Sequence, residues 1–510
     1  MPSVVSRALQ ALLRPQSLLL LSALSAVACG GEPVPPAAPS QPEAPVQPQG
    51  VHPERRGIGL LPLPPSSPSA QAVTVDVRRS LAVTDQVILD QFSFKSVVDQ
   101  LVAQAGISGQ TSLNLWKQWW DTNNQGPGLG LGAHCDDTLL PDGTAGFNGF
   151  PYACPRSEGA QINEDPFNTT KNNVGAYIPI GVFNRFDLAS VDGSDCGEYR
   201  ILFARREGQT QEFRRATLIF EAVLPNPQPQ LGLAGCRPVA QFWADLSLDS
   251  SATSRATKLK SFYFTGLPGF MPVVHLDNYG NRATGVLTGQ VRTNQFVQPA
   301  GSVRPLFPWN MREFKLRKTC SGTSCALRFV PVTVKDSPGG VLFSPTSTHP
   351  LTSDFQSTAF PAQVASLAVQ DINRFSMALE DRFNPGQMVS QGTEDHYPAR
   401  FTSDPSTLRS NIQSQLTSLG STLTPEHIVR RAMAQSCSGC HEHLKPLNET
   451  LGDTDLGNGM VWPRSLTFVH VSEQSPERGP DGNRFRISPA LTDVFLPHRK
   501  AVLENFLNTP

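Results

Sequence analysis

The stretch YRILFARREGQTQEFRRATLIFEAVL, residues 199–224, sets the character of the middle of this chain. Two runs rich in β-branched and aromatic residues, 199–204 and 216–224, flank a charged connection. That pattern predicts an antiparallel hairpin. Pro225, Pro227 and Pro229 punctuate its end, since proline lacks the N–H that a ladder needs. Two further strands are expected over 313–318 and 326–334. They bracket Cys320 and Cys325, which are placed for a local disulfide if the Cα atoms come within about 7 Å. A short helix over 239–246, with Pro238 at its start, interrupts this β-rich body, taken as residues 176–345.

Working outward, residues 73–175 read as a mixed, loop-rich segment. Residues 73–88 alternate as strands do. Ser93 is placed to cap a helix bearing Phe94, Val97, Val98, Leu101 and Val102. Leu113, Trp116, Trp119 and Trp120 repeat at helical spacing, which favours core packing over a ligand platform. The glycines over 126–132 lack phosphate-loop spacing. Beyond residue 346 the pattern turns helical. Residues 346–423 form a helical connector, with a long helix expected over 359–383 and another from Asp404-Pro405 to Gly420. Residues 424–510 form a last segment, with Thr424-Pro425 opening a helix that runs into Cys437 and a final helix over 491–507 broken near Pro497. The fold class expected is α+β: a disulfide-stapled β-rich body followed by a small all-α C-terminal domain.

Composition narrows the function. The chain has 510 residues, enough for about three folded units. An apolar fraction of 39% and a charged fraction of 17% are those of a globular protein. A formal charge of −1 supplies no basic field, so nucleic acid is not an expected partner.

The first residues have an export logic. Arg7 and Arg14 precede an apolar run over 18–24, too short to span a bilayer. Ser25-Ala-Val-Ala28 then leads to Cys29-Gly30. This resembles the lipobox of bacterial lipoproteins. The resemblance implies a signal peptide over 1–28, a diacylated Cys29 and, with no Asp at position 30, sorting to the outer membrane, facing either the periplasm or the surface. A plainly cleaved signal with Cys29 as an ordinary thiol is the alternative. Residues 29–72 are rich in Pro, Ala, Ser and Gln, a composition that buries no core. As polyproline II they would make a tether of up to about 120 Å. The lipid would be the one contact with the membrane.

The motif CSGCH, residues 437–441, carries the chemistry. The motif resembles the attachment site of c-type cytochromes. In that family two thiols one helical turn apart reach two vinyl groups on one porphyrin edge, and the next side chain folds beneath the ring. That resemblance implies a cytochrome-c-like domain over 424–510 holding covalent haem c. Cys437 and Cys440 would form the thioethers and His441 would be the proximal iron ligand. Met460 is the candidate distal ligand and His470 the alternative, and a five-coordinate iron is also open. A disulfide between Cys437 and Cys440, or zinc held with His443, are the competing readings.

The chain has nine cysteines. Besides Cys29 and the motif pair, Cys135, Cys154, Cys196, Cys236, Cys320 and Cys325 remain as disulfide candidates, and their number alone does not choose a pairing. The clusters Arg205-Arg206 and Arg214-Arg215 read as solvated hairpin faces. Asp192, Asp195 and Glu198 lack calcium-loop spacing. No catalytic constellation emerges, so enzyme activity is left open. The function expected is electron transfer with a redox partner or substrate docked on the β-rich body. The alternative is a haem-free surface binding module held by disulfides.

Overall fold

The hairpin expected over 199–224 forms, and it lies at the centre of the largest sheet. The computed structural model describes residues 72–282, 287–296, 308–441 and 454–509, all within one unit, Pro48–Pro510. The signal segment, Cys29, nearly all of the Pro-rich tether and His443 lie outside the described residues.

Eight strands make the sheet: β1 (Ala82–Val83), β2 (Tyr177–Arg185), β3 (Asp195–Arg205), β4 (Ala216–Pro225), β5 (Gln290–Phe296), β6 (Trp309–Ser321), β7 (Ser324–Val332) and β8 (Met388–Val389). The first six lie side by side in chain order and are antiparallel throughout; β7 and β8 both pair with β6. Ile201 faces Phe220 across β3 and β4, and Cys320 faces Cys325 across β6 and β7.

Alternation along the strands gives the sheet two unlike faces. On one face Tyr199, Ile201, Phe203, Leu218, Phe220, Val291 and Phe314 are buried. They pack against helices α1 (Phe94–Ala105), α2 (Ser112–Asp121), α3 (Arg237–Leu248) and α4 (Ala252–Phe264). Phe94 meets Phe203, Trp119 meets Phe314, and Trp243 stacks on Tyr199. The Trp stripe is therefore core, with Trp116, Trp119 and Trp120 all buried. Ser93 caps α1 by accepting from the Ser96 N–H, and Gly106 follows that helix at φ +61°.

The opposite face carries Glu198 and Arg200 on β3, Glu221 on β4, Arg292 and Asn294 on β5, and Met311 and Glu313 on β6. Arg200 stands opposite Glu221, and Arg292 opposite Glu313. A second core lies beyond Met311. Trp309, Phe343, Phe355, Phe360 and Tyr397 pack there with helices α5 (Thr407–Ser418) and α6 (Pro425–Gln435).

Three disulfides staple the body: Cys135–Cys154, Cys196–Cys236 and Cys320–Cys325. Cys437 and Cys440 are free thiols.

Several local expectations are corrected. Residues 73–88 hold two short helical turns, Val77–Ser80 and Gln86–Leu89, on either side of β1; the first starts where the Asp76 carboxylate accepts from the N–H groups of Arg78 and Arg79. No long helix covers 359–383; Pro361 cannot donate, and Asp371 opens a separate turn by accepting from the Asn373 N–H. Helix α5 is capped by Ser406 and not by Asp404. Arg215 is not a solvated hairpin residue: it is buried and bidentate on Glu473, at 2.8 and 2.9 Å.

Nor is the segment from 424 onward all-α. It contains two strand pairs, β9 (Asp455–Gly457) with β10 (Met460–Val461), and β11 (Val471–Gly479) with β12 (Gly482–Ile487). The turn Gly479-Pro480-Asp481-Gly482 makes the second hairpin, with Gly482 at φ +114°, a conformation that favours glycine. Val471, Phe485 and Ile487 join the first core, as do residues of the last helix.

Candidate functional site

The site begins with a capped helix. The Thr424 hydroxyl accepts from the His427 N–H, His427 Nδ1 accepts from the Thr424 N–H, and Pro425 occupies the first helical position of α6. The helix buries Ile428, Val429, Ala432 and Met433. Arg431, also buried, donates to the carbonyls of Leu367, Val369 and Leu456 and pins the helix laterally. The helix stops at Ser436, whose hydroxyl accepts from the Gly439 N–H and starts one fresh turn, α7 (Cys437–Cys440). The motif is therefore presented on a turn of its own, laid on the polar face of the sheet.

His441 has two partners there. Its Nδ1 lies 2.8 Å from the carbonyl oxygen of Phe468. A carbonyl only accepts, so Nδ1 bears the proton and Nε2 keeps its lone pair. The Nδ2 amide of Asn294, on β5, approaches Nε2 at 3.3 Å. This is the weaker contact, and Oδ1 of the same amide is buried without a partner. Burial, with Arg292 and Arg200 adding to it, pushes the His441 pKa down to about 4 although the Phe468 carbonyl opposes this, so the ring is neutral at pH 7.

His470 lies alongside, its ring centroid 5.4 Å from that of His441. Nε2 is 3.0 Å from the Cys440 carbonyl oxygen and 3.3 Å from Cys440 Sγ; Nδ1 is 2.8 Å from Ser488 Oγ. By the same argument Nε2 is protonated and donates to the carbonyl, and Ser488 donates to Nδ1. A protonated Nε2 cannot take the Cys440 proton. The triad-like series Cys440–His470–Ser488 is thus not set up as a nucleophile with its base. Burial pushes His470 down to about 3, raises the Cys440 thiol and pushes the Cys437 thiol up to about 12. Both thiols are protonated at neutral pH.

Under this turn runs a ladder of charge. Arg200 bonds Glu198 at 2.5 Å and Glu221 at 3.2 Å; Arg292 bonds Glu221 at 3.1 Å and Glu313 at 2.8 Å. Gln290 donates to Glu221 at 2.6 Å. The ladder reaches the site through β5, where Asn294 sits two residues from Arg292 on the same face. At the other end Arg185 holds Asp187 through both carboxylate oxygens.

Of the residues singled out from sequence, Cys440, His441 and His470 are brought together, with Cys437 one turn away. Met460 lies on β10 and packs, as Cys437 and Cys440 do, against the second core. Its partner across the strand pair, Gly457, lies against Leu423 and His427, near the start of α6. From His427 to the end of α6 the axis rises roughly 12 Å. Among the described residues no group of three or more His, Cys, Asp or Glu is gathered as for a bare metal ion. Asn294, Phe468, Ser488 and the Arg–Glu ladder escaped the sequence reading. The available signal was polar residues at period two, Glu198 and Arg200 in β3 and Gln290, Arg292 and Asn294 in β5.

The donor set suits the group that the motif's resemblance implies. Two unbridged thiols stand one turn apart, and an imidazole is fixed in the tautomer that leaves Nε2 for a metal, its other nitrogen held by a backbone carbonyl. No protein-family model, curated protein or solved structure matches the chain. No helix among the described residues is long and apolar enough to cross a membrane.

Proposed function

We propose that this chain is an exported lipoprotein, anchored through Cys29, that carries covalent haem c on Cys437 and Cys440 and transfers electrons to or from a partner. The likeness to c-type cytochromes lies in the attachment motif, Cys437 to His441, and not in a separate all-α domain. The observation that carries the reading is the 2.8 Å bond from His441 Nδ1–H to the Phe468 carbonyl. It orients the ring and raises its basicity at Nε2, as an outer partner does for a metal-bound histidine.

When bound, the haem would supply a one-electron couple. The chain would do the rest. Cys437 and Cys440 would hold the porphyrin edge. His441 would ligate iron once Asn294 releases Nε2. The half-buried setting of the turn would limit water and so help set the potential. His470 is favoured over Met460 as the second residue that would hold the iron, because its ring lies 5.4 Å from that of His441 and is neutral. It would first have to give up its bond to the Cys440 carbonyl.

The test is expression in a periplasm with haem maturation, followed by denaturing electrophoresis, a peroxidase stain and intact mass. A stained band with added haem mass is expected, lost in the Cys437→Ala/Cys440→Ala variant. A colourless protein of unmodified mass would sink this reading and favour the haem-free binding module. Labelling with a radioactive fatty acid, abolished by Cys29→Ala, checks the anchor.

A further inference from the structure

We propose that Arg215 and Thr467 are positioning residues for His441: Arg215 holds Thr467 in a left-handed turn, and that turn aims the Phe468 carbonyl at the His441 ring. The inference bears on the iron ligand of the reading above, but it rests on contacts that need no haem.

The Leu466 N–H donates to the Val469 carbonyl at 2.8 Å, and the Val469 N–H donates to the Leu466 carbonyl at 3.3 Å. Thr467 and Phe468 are therefore the two central residues of a tight reversal. Thr467 stands at φ +55°, while Phe468 keeps a negative φ. A positive φ at the first central residue alone marks a type II′ turn, where glycine is the usual occupant. Threonine is branched at Cβ, and a branched side chain at positive φ is strained. Strain of this kind persists only where the surroundings hold it, and it gathers where function needs a fixed geometry.

The threonine hydroxyl supplies the hold. Thr467 Oγ1 accepts from Arg215 Nη1 at 3.2 Å and donates to the Leu466 carbonyl at 2.6 Å. Ser465 Oγ donates to the Thr467 carbonyl. Arg215 is itself anchored: Nε and Nη2 grip Glu473 at 2.8 and 2.9 Å, and both side chains are buried. On the far side the Phe468 ring packs edge-to-face on Phe296, centroids 5.0 Å apart, and lies 5.9 Å from Trp309. Residue 468 is thus fixed through its ring and through its turn, which sets the direction of its carbonyl. His441 Nδ1 lies 2.8 Å from that oxygen. A neutral imidazole can carry its proton on either nitrogen, so a carbonyl that loses its aim releases the choice.

The experiment uses the haem-free full chain with ¹⁵N-labelled histidine at pH 7. Ring ¹⁵N–¹H correlation spectra show which nitrogen bears the proton, and the His441 signals are those missing from His441→Gln. Wild type is expected to show Nδ1 protonated and Nε2 bare. Thr467→Val keeps the branched Cβ and removes the hydroxyl, so the turn loses its hold and the signals move to those of mixed tautomers. Thr467→Gly adopts φ +55° without a hold and keeps the wild-type pattern. Arg215→Met/Glu473→Leu removes the grip with no buried charge left unpaired, and is expected to match Thr467→Val. A pure Nδ1–H form in Thr467→Val overturns the proposal, and so does a Thr467→Gly that loses the pattern as Thr467→Val does. Thr467 is exposed, so these two variants decide the matter even if the double variant fails to fold. A chain that behaves as expected here yet gives no haem band loses the haem reading alone.

Discussion

Nδ1 of His441 donates to the carbonyl of Phe468 at 2.8 Å, across 27 residues of chain. One bond decides the tautomer, and the tautomer decides which nitrogen keeps its lone pair. Nearby, the Cys440 carbonyl does the opposite for His470, fixing its proton on Nε2. Two adjacent imidazoles are thereby given different roles by two backbone oxygens.

The first consequence concerns which residue besides His441 would hold iron if the proposed haem is bound. In haem-loaded protein, His470→Ala is expected to change the visible spectrum of the reduced form, and Met460→Ala to leave it unaltered. Absorption and magnetic circular dichroism of both variants check this. A spectrum sensitive to Met460 alone would make Met460 the second ligand in place of His470.

The ladder beneath the site makes a stability prediction. Arg292→Met leaves Glu313 buried without its cation and takes one of two from Glu221. Removing one partner of a buried ion pair costs about 3–5 kcal/mol. Urea unfolding should show a loss of that size. The double variant Arg292→Met/Glu313→Leu should recover part of it, because no orphaned charge remains at that step. Equal losses in the single and double variants would argue against coupling.

The disulfides should be unequal in effect. Cys196–Cys236 closes a loop of 40 residues of separation and Cys320–Cys325 one of 5. On chain entropy the first contributes about 4 kcal/mol and the second about 2. Paired Cys→Ala variants compared by thermal melting should rank in that order.

A fourth prediction is a pH dependence at Asp395. Burial, with Glu394 beside it, pushes its carboxyl up to about 8, although the N–H groups of Val389 and Gly340 donate to it. The folded chain thus holds this proton more tightly than the unfolded chain, where the value is 3.8. The stability it contributes is whole below that ordinary value and is lost as pH rises toward 8. Urea midpoints between pH 5 and 8 should fall in wild type more than in Asp395→Asn. Parallel curves would contradict this.

What could be read from the sequence followed from local chemistry. The hairpin over 199–224 was legible because strand propensity and period act within a few residues. So were the caps at Ser93 and Thr424, the Trp stripe as core, and the CSGCH spacing. The turn at Pro480-Asp481-Gly482 was equally local but was overlooked, which hid the strands of the last segment. Other features depend on residues far apart in the chain. Nothing near Arg215 announces Glu473, nothing near Cys440 announces His470, and nothing near His441 announces the carbonyl of Phe468. Six cysteines chose their partners only when β3 met the start of α3, β6 met β7, and the loops bearing Cys135 and Cys154 met. The sequence by itself determined that residues 437–441 present two thiols and an imidazole on one turn. The tertiary structure alone decided that the turn lies on a charged sheet face, with its imidazole oriented by a distant backbone oxygen. Hydrogen bonds and ion pairs between remote segments exist only once the chain has closed around them.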